Sequence, residues 1–310
     1  MSARVLVMGA GGVGAYFGAA LQAGGHDVWY VARGPNLDAL RTSGLRVTGN
    51  CGSFSLGDVR ATDDASEAGE RDLVLFCVKN YDLDAGADAI ESYAGLVLTL
   101  QNGVDAPYRL RERLGDRVLA GSTGIVCDLA GPGHVDVISD YAWIRFGEPD
   151  GGSSARSEEV AGWLRAAGSE RIQVEPRTDM PVALWEKMAL MCAMAGLTSL
   201  YRAPMGAILS DPQGLATFRR IVQECEAVAR AGGVDLPPDF VDGRMAYASG
   251  IDPGATSSLS RDLARGRRAE IDTFNGSVVR IGAERGVAVP LNEAVYAGQR
   301  LFAAGHSLPS

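Results

Sequence analysis

The stretch RVLVMGAGGVGAYFGAAL, residues 4–21, limits the folds open to this chain more than any other segment. Glycine makes up 40 of the 310 residues. At that frequency a G-x-G-x-x-G spacing arises by accident roughly 0.6 times per chain, so spacing alone decides nothing. Element order is the stronger signal. Residues 4–8 form an apolar run typical of buried parallel strands, and 13–23 follow as a helix that starts inside the glycine turn. In such a strand–turn–helix corner, Gly9 permits the tight turn, Gly11 lets the backbone approach a pyrophosphate, and Gly14 lets helix and strand pack closely. Gly12 lies with them at the helix N-terminus, which faces the anion. A dinucleotide site is expected here, with a purely structural Gly-rich corner as the alternative.

The first half of the chain continues the alternation. Asp27–Ala32, DLVLFCVK (72–79) and GLVLTL (95–100) are strand candidates separated by helical segments, which predicts a parallel, doubly wound sheet. Residues 117–127 and 134–147 look extended and antiparallel, with GPGH (131–134) as the turn between them, and are expected to finish that sheet. QVEP (173–176) reads as a last short strand. From about residue 177 onward, helix-like segments near 180–198, 211–232, 268–285 and 291–304 are separated by turns containing Pro and Gly. The expected class is α/β: a Rossmann-type doubly wound sheet over 1–176, then an all-helical C-terminal domain over 177–310.

Charge and cysteine usage narrow the function. A net charge of -9 disfavours nucleic-acid binding, which needs a concentrated basic surface. Cys51, Cys77, Cys127, Cys192 and Cys225 are scattered and show no C-x-x-C pairing, which fits reduced thiols in a cytosol. The N-terminal apolar run serves the first strand, and no apolar run reaches the roughly 20 residues needed to span a bilayer. A cytoplasmic protein without nucleic-acid or membrane partners is expected. His26, His134 and His306 fall in turns or the tail, outside any partnered acid/base motif, and no zinc-like ligand spacing is present, so no metal is expected.

The second strand bears on cofactor choice. Where such a unit prefers NAD, an Asp or Glu about 20 residues past the glycines accepts the ribose 2′-hydroxyl. Here the strand ends WYVARG, with Ala32 at the acid position and Arg33 after it. A guanidinium suits a 2′-phosphate, so NADP is the expected cofactor; a merely surface-exposed Arg33 is the alternative.

Taken together, GAGGVGAYFG with Arg33, CVKNYD around Lys79, LQNGV around Asn102, LWEKMAL around Lys187, and TSSLSRDLARGRRAEIDTFNG from 256 resemble the ketopantoate reductase (2-dehydropantoate 2-reductase) family over essentially the whole chain. The resemblance implies NADPH as hydride donor and reduction of a 2-keto acid to a 2-hydroxy acid. It implies Lys187 as general acid, Asn102 on the nicotinamide side, and Ser258 and Glu270 closing the site. The chemistry is coherent, because hydride addition leaves negative charge on oxygen and calls for a proton donor aimed at it. Lys187 stands in an almost wholly apolar helix, where a long cationic chain either lines a cleft or snorkels to water. Glu270 would orient the ammonium, or else pair with Arg267 or Arg268. Ser258 would reach the substrate carboxylate, or else cap a helix. Lys79 and Asn102 follow strands at the carboxyl edge of the sheet, suited to cofactor contact, although Asn-Gly is also a common turn pair.

One part of the family pattern is missing. The family's cleft asparagines four, eight and eighteen residues after the lysine are here Met191, Ala195 and Met205. Positions 187, 191 and 195 are i+4 steps on one helix face, so that face has lost amide groups. A site without partners for the ketopantoate hydroxyl discriminates weakly for it. 2-Dehydropantoate is the leading substrate, a more apolar 2-oxo acid the second reading, and a non-catalytic NADP-binding regulator the third. A homodimer through the helical domain is a further expectation.

Overall fold

The computed structural model describes residues 2–166 and 172–305. The chain divides into two compact units, one of Met1–Gln101 with Asp105–Met180, the other of Asn102–Val104 with Pro181–Ser310. In the first unit the order is β1 (Arg4–Met8), α1 (Gly12–Ala23), β2 (Asp27–Val31), α2 (Gly34–Ser43), β3 (Leu45–Gly49), β4 (Phe54–Leu56), β5 (Arg60–Thr62) and β6 (Leu73–Phe76). Then come α3 (Leu83–Ala89), β7 (Leu96–Thr99), α4 (Ala106–Leu114), β8 (Val118–Gly124), β9 (Cys127–Gly131), β10 (His134–Val137), β11 (Ala142–Gly147), α5 (Ala155–Arg165) and β12 (Ile172–Pro176).

Eight strands form the main sheet, in the order β12-β11-β8-β7-β6-β1-β2-β5. All neighbours are parallel except β11 against β8. Side chains alternate across this sheet, and both faces are buried. Val5, Val7 and Leu75 pack with residues of α1, α2 and α5, whereas Leu6, Met8, Val74 and Phe76 pack with residues of α3 and α4. That two-sided burial is why the strands read as continuous apolar runs. β1 lies between β2 and β6, so the strand order reverses beside it, and ligands of such sheets bind at the carboxyl ends of the strands flanking that reversal.

Part of the expected sheet is built differently. β8 runs parallel to β7 and β11 returns antiparallel to β8, but the turn at 131–134 joins β9 to β10, which belong to a separate four-stranded sheet ordered β4-β3-β10-β9. The correction has a local cause. The extended stretches break near residues 125–126 and 138–141, so one long hairpin becomes two shorter elements serving two sheets.

The second unit is helical: α6 (Met180–Leu200), α7 (Met205–Ser210), α8 (Pro212–Ala231), α9 (Phe240–Ser249), α10 (Ser258–Ala264), α11 (Ser277–Arg285) and α12 (Pro290–Gln299). A π-helical turn, Asp272–Gly276, precedes α11, where a single helix over 268–285 was expected. No apolar run of spanning length was expected, yet α6 is long and apolar enough to cross a bilayer by length and composition; 67% of that stretch is buried in the protein, as befits a core helix.

Candidate active site

The glycine corner is built for a close-lying ligand. Gly9 has φ +100°, and a Cβ there would come within 2.9 Å of the Val78 nitrogen. A Cβ on Gly14 would lie 2.2 Å from the Gly9 carbonyl oxygen and 3.0 Å from Val7 Cγ1, so only glycine lets α1 sit this close to β1. Gly12 is held similarly tight, 3.0 Å from Cys127 Sγ. Gly11 differs, for a Cβ there would meet open space. It is the N-cap of α1, no side chain caps the helix, and its first turn holds no acid. Unscreened N–H groups and a positive helix end are the chemistry a pyrophosphate needs, and the corner fits a dinucleotide.

Neighbouring strands brace the corner. Ala10 N–H donates to the Val31 carbonyl at 3.0 Å, and Asn36 Nδ2 donates to the Ala10 carbonyl at 2.9 Å. Asn36 was not anticipated from the sequence; its signal is its place in the first turn of the helix after Arg33. Arg33 itself is exposed at the N-cap of α2, directly beyond β2. Lys79, also exposed, follows Val78 beyond the carboxyl end of β6. Gln101 Nε2 donates to the Val78 carbonyl at 3.0 Å, tying the ends of β6 and β7 together. Burial pushes the neighbouring Cys77 thiol up to about 12, which keeps it neutral next to the corner.

The second unit carries Lys187, the residue expected to be the general acid. Lys187 is half-buried on α6, and desolvation pulls its ammonium down to about 8 while the charge of Glu270 acts in the opposite sense. Glu270 is 7% exposed. Met191, one turn beyond Lys187, is half-buried, whereas Ala195 and Met205 are both fully buried. Asn102 is half-buried in the short segment that groups with the helical unit. The capping role near 258 falls to Ser257, whose Oγ accepts from Ser260 N–H at 3.0 Å and bonds Thr198 Oγ1, also at 3.0 Å; Ser258 is half-buried at the first position of α10.

Two of the histidines make structural contacts. His26 Nδ1 accepts from Ala3 N–H at 3.0 Å, and His134 bonds Thr48 Oγ1 at 2.9 Å in the small sheet. His306 lies outside the described residues.

The composition of the cations carries a further signal. Of 29 lysines and arginines, two are lysines, Lys79 and Lys187. Arginine stays charged in proteins, whereas a lysine can be tuned by burial to give up its proton near neutrality. A chain that otherwise uses arginine for its cations has kept lysine at the two positions read as functional.

The ketopantoate reductase PanE/ApbA family matches residues 5–151, and ketopantoate reductase PanE/ApbA C terminal matches residues 179–301. A 2-dehydropantoate 2-reductase of Archaeoglobus fulgidus is 32% identical over 293 residues, covering 94% of this chain and 95% of that protein. The solved structure of a PanE/ApbA family ketopantoate reductase from Ralstonia eutropha has a TM-score of 0.88 at 36% identity, covering 97% of this chain and 98% of its own. A D-mandelate dehydrogenase solved with NADH and anilino(oxo)acetate covers 97% of this chain and 98% of its own, at a TM-score of 0.87 and 20% identity, a likeness of fold alone. Matches over both halves of the chain define a nicotinamide-dependent oxidoreductase acting on a CH–OH/C=O pair. The chain belongs to the ketopantoate reductase family.

Proposed function

We propose that this chain reduces a 2-keto acid to a 2-hydroxy acid with NADPH, Lys187 being the general acid and Glu270 its orienting partner. The observation that carries the reading is the Lys187–Glu270 pair: an ammonium brought to about 8 by burial, with a buried carboxylate acting on it. A bound reduced nicotinamide supplies the hydride. The residues of the chain manage the charge that follows. As the carbonyl carbon gains the hydride, the C=O π electrons move onto oxygen, and Lys187 Nζ gives that oxygen a proton, leaving a neutral amine that solvent reprotonates. Glu270 holds the ammonium in place and keeps enough of it protonated at neutral pH. Ser258 suits the substrate carboxylate, and Asn102 the nicotinamide side.

Gly9, Gly11, Gly12 and Gly14 would hold the pyrophosphate, with Lys79 on the phosphate or ribose side. Arg33, with Ala32 where an NAD-preferring unit has an acid, supports the 2′-phosphate and hence NADP. 2-Dehydropantoate is the first substrate to test. A more apolar 2-oxo acid is the second reading, favoured by Met191, Ala195 and Met205; a fold relative, the D-mandelate dehydrogenase, was solved with anilino(oxo)acetate. We further infer a cytoplasmic enzyme with a nucleotide-binding domain over 1–176 and a helical domain over 177–310 that pairs into a homodimer. A panel of 2-oxo acids followed by NADPH absorbance tests the reading. Turnover of at least one branched or aromatic 2-oxo acid is expected, and oxidation of NADPH no faster than in substrate-free controls across the panel would refute it.

A further inference from the structure

Lys187 is on α6 and Glu270 just ahead of the π turn, so their spacing depends on whatever locks those two elements together. A buried amide does so. Asn275, fully buried within the π turn, donates through Nδ2 to the Cys192 carbonyl of α6 at 3.2 Å and to Asn292 Oδ1 of α12 at 2.9 Å. Asn292, also fully buried, donates its own Nδ2 to Glu224 Oε2 of α8 at 2.8 Å. The Glu224 carboxylate further accepts the backbone N–H groups of Leu291 and Asn292, each at 2.9 Å. This sets the orientation of both amides: Asn292 turns Nδ2 to the carboxylate, so its Oδ1 faces Asn275, which must present Nδ2.

The arrangement is costly as mere packing. Asn275 Oδ1 is buried with no hydrogen-bond partner among the described residues, a loss of about 1–3 kcal/mol. It abuts Gly196 in the interior of α6, where a Cβ would come within 2.9 Å of that oxygen and 2.7 Å of Val295 Cγ1. Glycine inside a helix costs about 1 kcal/mol relative to alanine. Gln299 follows the same plan, with Nε2 donating to the Gly196 carbonyl at 3.0 Å and Oε1 buried without a partner. Breaches of local packing rules of this kind concentrate where function demands a geometry, and π turns do likewise. The Gly276 N–H to Ile271 carbonyl bond of 3.1 Å closes the π turn directly after Glu270.

We propose that Asn275 is a positioning residue for the Lys187–Glu270 pair: by fastening the π turn to the carbonyl of Cys192, it sets how closely the Glu270 carboxylate approaches the ammonium. This rests on the catalytic reading of Lys187. Because the chain has two lysines, full-length protein carrying ε-13C lysine gives two side-chain signals, and Lys79→Arg assigns them. The Lys187 titration midpoint is compared in the wild type, Glu270→Gln, Asn275→Leu and Gly196→Ala, each with NADP+ bound. Removing the Glu270 charge lowers the midpoint, since that charge raises it. Asn275→Leu and Gly196→Ala are expected to show about half that drop or more, with turnover falling in step and NADPH affinity kept. An unchanged or raised midpoint in the folded variants overturns the proposal even if their melting temperature falls. If Asn275→Leu does not fold, Gly196→Ala decides, since it keeps the amide and only crowds it. Wild-type turnover in Lys187→Ala would instead overturn the catalytic reading and leave the titration comparison standing.

Discussion

Glu270, a residue 7% exposed and distant in sequence from Lys187, acts through its carboxylate on the Lys187 ammonium, raising a pKa that burial has already drawn down to about 8. The two effects oppose each other, and desolvation is the larger. The result is an ammonium still mostly charged at neutral pH, which is what the proposed proton donor requires.

Keto acid reduction should therefore fall as pH rises through about 8, as the proton donor is lost. The same group has a stability signature. Its folded pKa lies below the unfolded value, so the unfolded chain binds more protons between the two and stability rises with pH across that window. Lys187→Met removes the titrating group and should abolish this rise of stability with pH, read as melting temperature at pH 7 and pH 10. A melting temperature that still rises across that window in this variant would contradict the buried-charge reading.

Gly14→Ala places a methyl 2.2 Å from the Gly9 carbonyl oxygen, and backbone must move to admit it. Overpacking of this kind costs about 1–3 kcal/mol. NADPH affinity should drop at least tenfold, read by fluorescence titration, with a smaller loss in thermal stability. Gly11→Ala should be the milder of the two in the apoprotein, since its Cβ meets open space.

Arg33→Gln tests cofactor choice. A charge-assisted hydrogen bond contributes about 1.5–3 kcal/mol. The KM for NADPH should rise by about tenfold or more, with that for NADH nearly unchanged. Equal effects on both would assign Arg33 a role other than phosphate recognition.

Met191→Asn returns an amide to the half-buried helix face one turn beyond Lys187. If amide loss has shifted the substrate, kcat/KM for 2-dehydropantoate should rise relative to that for an apolar 2-oxo acid. A ratio that does not move would separate this face from substrate choice.

Legibility of the fold followed burial. RVLVM, DLVLF and LVLTL were readable because both faces of their strands are buried, leaving uninterrupted apolar runs between glycine-rich turns. β4 and β5 were not, at three residues each and partly exposed, and the small sheet forms only through long-range pairing of β3 with β10. The short helices α7, α9 and α10 hold too few turns to show a period. At the site, the glycine corner is local chemistry and was readable as such. Lys187 and Glu270 required the family resemblance, because no spacing rule joins positions brought together by tertiary packing. Asn275 entered only as one letter of the stretch from 256 and Asn292 not at all, since their value lies in partners on α6 and α8.

The central claim concerns proton delivery by Lys187, and single-turnover reduction by Lys187→Ala with saturating NADPH measures it directly. We expect cofactor affinity within a factor of two or so of wild type and a rate of reduction lower by about 10²–10⁴. A hydride-transfer rate equal to that of the wild type, with the 2-oxo acid still bound, would contradict it.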